Sequence, residues 1–146
     1  MRIAVLIITA ALLSPLSALA DEEYIPPVTD ALVKKECGEC HLTFHPALLP
    51  KASWRKMMAN LANHFGEDAS LDAPIRDKVA DFLIANTNDR GADPNNPPLR
   101  FTTAGWFSEE HQEERDARRM MKRRKAKSWA DCAACHSRAA SGHFDE

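Results

Sequence analysis

The strings Cys37-Gly38-Glu39-Cys40-His41 and Cys132-Ala133-Ala134-Cys135-His136 use every cysteine in this 146-residue chain. In Cys-x-x-Cys-His, two thiols on one helical turn can each form a thioether to a vinyl group of haem, while the adjacent histidine ligates the iron. The two strings therefore predict two covalently bound haem c groups. Cys37 and Cys40 hold the first beside His41, and Cys132 and Cys135 hold the second beside His136. A zinc site made of two Cys-x-x-Cys hooks competes for the same residues, but such hooks lie about 15 to 20 residues apart. These are separated by most of the chain. A thioredoxin-like redox pair fits no better, and no cysteine is left for a disulfide.

Working outward, the N-terminus reads Met1-Arg2, then an apolar run from Ile3 to Leu13, Ser14-Pro15, and the small-residue end Ala18-Leu19-Ala20. This is the pattern of a secretory signal peptide, residues 1–20, with cleavage before Asp21. The run is shorter than the roughly 18 to 20 apolar residues of a bilayer span. A short uncleaved anchor is the alternative, poorly built before Asp21-Glu22-Glu23. Export predicts a periplasmic location, and no later segment could cross a membrane.

The remaining chain is small, and a thin core needs a staple, which haem supplies as an apolar plate for helices to pack on. Net charge is close to neutral, at −2. Its distribution is uneven: Glu109, Glu110, Glu113 and Glu114 precede a basic run from Arg118 to Lys127. That run is either a solvated helix face or a docking surface for an acidic redox partner. Export away from nucleic acid argues against binding it.

The expected fold class is all-α. Thr29 can cap a first helix that places Val33, Cys37, Cys40 and His41 in successive turns. Ser53 can cap a second, with Trp54, Met57, Met58, Leu61 and Phe65 at helical period and Gly66 ending it. Asp72 and Pro74 open a third, whose buried stripe is Ile75, Val79, Phe82 and Leu83. The turn-rich stretch 87–98 predicts a linker between an N-terminal haem domain (21–86) and a C-terminal one (99–146). In the latter, Ser108 starts a long polar helix to about Lys125, and Ser128-x-x-Asp131 is a capping box for the helix of the second string. No strand signal is present.

The sixth ligand of each iron separates an electron carrier from a site that binds or transforms small molecules. Four histidines remain. His64 falls on the apolar side of its predicted helix, where a buried imidazole needs a partner. His45, just past His41 and before Pro46, is awkwardly placed for the same iron. For the second haem, His111 and His143 both stay open, with His111 favoured because Gly142 and the nearby chain end suggest a loose tail. Met57 and Met58 read as core, while Met120 and Met121 interrupt the basic run and can face a haem. Trp54, Trp106 and Trp129 read as packing residues.

Cys37-Gly-Glu-Cys-His41, Pro46-Ala-Leu-Leu-Pro50, Ser53-Trp54 and His64-Phe65-Gly66-Glu67-Asp68-Ala69-Ser70-Leu71 together resemble the dihaem cytochrome c family of proteobacteria. Trp106-Phe107, Glu110-His111, Cys132-Ala-Ala-Cys-His136 and Ala140-x-Gly142-x-Phe144 resemble its second half. The resemblance implies a class I cytochrome c-like N-terminal domain, a small helical C-terminal haem domain and histidine at both axial positions of each iron. By motif match His64 and His111 become the sixth ligands. It implies single-electron transfer without catalysis, with partners such as c-type or membrane b-type cytochromes or a small oxygen-binding haem protein. Two rivals stand beside it. One is a haem protein with a labile iron, gas-binding or peroxidase-like; the other is an electron-transfer subunit of a periplasmic reductase.

Overall fold

A computed structural model describes residues 24–89, 93–111 and 114–144. The signal-peptide reading falls outside these residues. Among them the chain is helical, with six α-helices, four short 3-10 turns and no strand beyond two isolated bridges. No helix among them is long and apolar enough to cross a membrane.

Helix α1 spans Ala31–Cys37 and is capped by Asp30, not Thr29; the Asp30 carboxylate accepts the Val33 N–H at 2.9 Å. It ends at Cys37, so Cys40 and His41 lie beyond the helix and not on its continuation. Gly38 makes that exit possible. A Cβ there would meet the Lys34 carbonyl oxygen at 2.3 Å and Thr43 Oγ1 at 2.8 Å, so the loop folds tightly back on the helix.

Helix α2 spans Lys51–Met58, with Pro50 at the N-cap. Ser53, expected as the cap, is instead fully buried inside the first turn. Proline before Lys51 starts the helix earlier because its fixed φ suits a helix entrance. Trp54 anchors it: its Nε1–H donates to the buried Pro46 carbonyl at 2.7 Å. The helix stops at Met58, short of Gly66, and Leu61–Asn63 form a 3-10 turn. Phe65 (φ 59°) and Gly66 (φ 106°) then make a reverse turn closed by paired backbone bonds between His64 and Glu67. Gly66 is thus needed for a two-residue turn with both central φ values positive, and not for a helix end.

Helix α3, Ala73–Ala85, follows expectation: Asp72 is its N-cap residue, Pro74 sits in the first turn, and Val79 and Leu83 are buried. It packs on α2 and α1. The chain leaving it is tied back to the start of α2, where the Thr87 hydroxyl donates to the Leu49 carbonyl and Asp89 accepts the Lys51 N–H at 2.6 Å.

The predicted long polar helix is two: α4, Gly105–Glu110, and α5, Glu114–Arg124. Ser108 lies inside α4. Helix α4 ends at its C-cap residue His111, which has left helical geometry (φ −111°, ψ 35°) while its backbone N–H (3.1 Å) and its ring Nδ1–H (2.9 Å) both go to the Phe107 carbonyl. The helix of the second string, α6, is a single turn, Cys132–Cys135. Asp131 is its N-cap residue and reaches back to the Lys127 N–H at 3.0 Å, so Ser128 and Asp131 do not form the expected capping box.

One apolar cluster runs from Val28 and Val33 through Trp54, Met58, Val79 and Leu83 to Phe101 and Phe107. It therefore includes residues on both sides of the stretch 87–98. The C-terminal segment is not loose: Gly142 is buried, its carbonyl accepts the Ile25 N–H at 2.8 Å, and the Tyr24 and His143 rings lie 5.0 Å apart.

Candidate haem-binding site

The chain brings four of its histidines together in two pairs. His41, just past α1, faces His64, at the start of the reverse turn, with ring centroids 6.2 Å apart and planes at 26°. His111, at the end of α4, faces His136, at the end of α6, with centroids 6.4 Å apart and planes at 90°. Metal–imidazole bonds of roughly 2 Å, made in line on opposite sides of one iron, hold two imidazole centroids about 6 Å apart. Both pairs have the spacing that a single iron between them requires.

The nitrogens agree. His41 Nδ1 is bonded to the Leu42 carbonyl at 2.7 Å and His111 Nδ1 to the Phe107 carbonyl at 2.9 Å, which leaves Nε2 as the free nitrogen of each. Such a bond to the far nitrogen fixes tautomer and ring orientation in metal-ligating histidines. The Nδ1 atoms of His64 and His136 are buried and have no partner. Burial, then the nearby charges of His41 and Arg100, holds the His64 pKa below its ordinary value. Neutral imidazole is the form that can ligate a metal.

A cavity of about 350 Å³ is lined by Cys132, Cys135, His136 and His111, with Met120, Met121 and Trp129. His45 also lines it, at the side of the first string's loop. Its Nδ1 is occupied, accepting the Ala47 N–H at 3.1 Å. His143 contacts Tyr24 and lies outside this lining. Burial raises the pKa of the Cys37 and Cys132 thiols while they are free; Cys132 lines this cavity.

Aromatic rings buttress the histidines; Trp129 was expected to pack, but the ring contacts of Phe44, Phe101 and Phe107 were not foreseen. Phe44 stacks on His41 at 4.7 Å, Phe107 on His111 at 4.1 Å, and Trp129 meets the His111 edge at 5.9 Å. Phe107 had a legible signal, since it lies four residues before His111 and so on the same helical face. Phe101 had none, because a 3-10 turn brings it to Phe44. The basic side chains Arg118, Arg119, Lys122, Arg123, Arg124, Lys125 and Lys127 are exposed, while Ala117 and Met121 turn inward.

Residues 33–144 match the family model for dihaem cytochrome c. The chain belongs to the dihaem cytochrome c family. It is similar to the solved diheme cytochrome c from Rhodobacter sphaeroides, with 42% identity, a TM-score of 0.75, and coverage of 82% of this chain and all of that one. It is also similar to the diheme cytochrome from Shewanella baltica OS155, with 33% identity, a TM-score of 0.66, and coverage of 79% and 86%. No match was found among curated proteins. As a member of the dihaem cytochrome c family, the chain is an all-α, haem-based electron carrier with two covalently bound haem c groups.

Proposed function

We propose that this dihaem cytochrome is an exported, periplasmic carrier of single electrons and not an enzyme, with both irons closed by two histidines. Cys37 and Cys40 hold haem 1 between His41 and His64, and Cys132 and Cys135 hold haem 2 between His136 and His111. The observation that carries this is the spacing of the histidine pairs, 6.2 and 6.4 Å between centroids. Haem supplies the one-electron couple. The protein's part is to hold imidazoles on both faces, set aromatic rings against them and leave no coordination position for substrate.

The exposed basic face of α5 suits a partner with an acidic surface, such as a c-type or membrane b-type cytochrome or a small oxygen-binding haem protein. Imidazole favours the oxidised iron more than a thioether does, so both potentials fall below those of His/Met cytochromes. A spectroscopic redox titration of His64→Met and His111→Met tests the assignment. Each variant raises the potential of one haem and leaves the other wave in place. An unchanged titration in either variant would refute that ligand.

A further inference from the structure

We propose that haem 1 is a latent binding site for a small diatomic ligand, opened when the His64 ring swings off the iron, while haem 2 stays closed. The inference rests on reading His41, His64, His111 and His136 as axial ligands.

The four histidines are not held alike. His41 and His136 each follow a cysteine that is bonded to its haem, so each is tethered beside its iron. His41 is further fixed by its bond to the Leu42 carbonyl at 2.7 Å. His111 has no tether, but its backbone N–H and its Nδ1–H both reach the Phe107 carbonyl. Its ring also stacks on Phe107 at 4.1 Å with Trp129 at its edge. His64 has neither support. No thioether cysteine adjoins it, its Nδ1 is buried without a partner, and its neighbouring ring, Phe65, is 43% exposed.

The backbone beneath His64 is fixed by the paired bonds to Glu67 at 2.8 and 3.2 Å, so the ring can leave by side-chain rotation without unfolding the turn. An imidazole whose far N–H is donated to a carbonyl is the better metal ligand, and an unpartnered buried N–H costs free energy that a swing toward solvent recovers. The surface around His64 also carries Met57, Asn60 and Asn63, and the two amides can donate to a bound ligand's outer atom. In the exchange the iron–Nε2 bond to His64 breaks and a bond to the entering ligand's lone pair forms. No electron is transferred.

Potassium cyanide on the ferric holoprotein at constant pH tests this, followed by electron paramagnetic resonance and the Soret band. At rest both irons should be low-spin; a high-spin component there would instead defeat the ligand assignment. Cyanide should convert one of the two low-spin signals, the same one that His64→Met abolishes and that His111→Met leaves intact. The rate should level off as cyanide rises, because departure of His64 comes first. With both irons low-spin at rest, conversion of the other signal, or of neither, overturns the proposal.

Discussion

The rings of His111 and His136 face each other across 6.4 Å with their planes perpendicular, at 90°, whereas His41 and His64 lie within 26° of parallel. The difference has an electronic consequence when each pair is bound to iron. An imidazole donates π density into the iron d orbital normal to its own plane. Two nearly parallel rings raise the same orbital and split it from its partner, while two perpendicular rings raise one each and leave the pair almost degenerate.

Haem 1 should therefore give a rhombic low-spin signal and haem 2 a highly anisotropic one with a large maximal g value. Low-temperature electron paramagnetic resonance of the oxidised protein reads this directly. Two rhombic signals of the same form would contradict the ring geometry.

Trp54 links α2 to the turn at Pro46 through its indole N–H, 2.7 Å from a buried carbonyl. Trp54→Phe keeps a large aromatic ring but leaves that carbonyl with only the longer bond from the Leu49 N–H, at 3.3 Å. The expected loss is about 0.5–1.5 kcal/mol, measured as a lowered denaturant midpoint at unchanged m value. A midpoint equal to the parent's would show that the bond contributes nothing net.

Haem attachment and the histidine candidates were legible because their chemistry is local. A thiol spacing and a spare imidazole can be read without knowing the fold. The element boundaries were not, and particular residues show why. Gly66 looks like a helix end in a pattern that runs from Trp54 to Phe65, yet the chain spends it on a turn with two positive φ values. His111 looks like the first turn of a long helix, yet it is the C-cap residue of α4, with its ring bonded to the Phe107 carbonyl. Both departures occur at or beside a residue proposed to face iron, His111 in one case and His64 in the other, where placing the imidazole outweighs helical regularity. Gly142 was misread for a different reason: its partner, Ile25, is distant in sequence, and no periodicity reports such a contact.

Gly142 has φ of 89°, and a Cβ there would stand 2.3 Å from the Ile25 carbonyl oxygen and 3.0 Å from the Tyr24 ring. Gly142→Ala should cost about 1–3 kcal/mol, combining left-handed strain with the clash. Gly105→Ala is the control, since nothing lies within 4 Å of the added methyl. Thermal unfolding of the two holoproteins should separate them by several degrees, and equal midpoints would mean that the two termini are not joined at this contact.

His45 gives the protein a pH dependence whose sign can be worked out. Burial lowers its pKa below the ordinary 6.5, and its Nδ1 must be unprotonated to accept the Ala47 N–H. Between the folded value and 6.5 the unfolded chain binds the proton more readily, so stability rises with pH through that window. The contribution is fully present above 6.5 and is lost as pH falls through the folded value. Because the ring is only half-buried, solvent keeps the effect modest. His45→Asn retains a capping oxygen for Ala47 and removes the titration. Chemical denaturation should show the parent losing more stability than the variant as pH falls below 6.5, and parallel pH profiles would exclude His45 as the source.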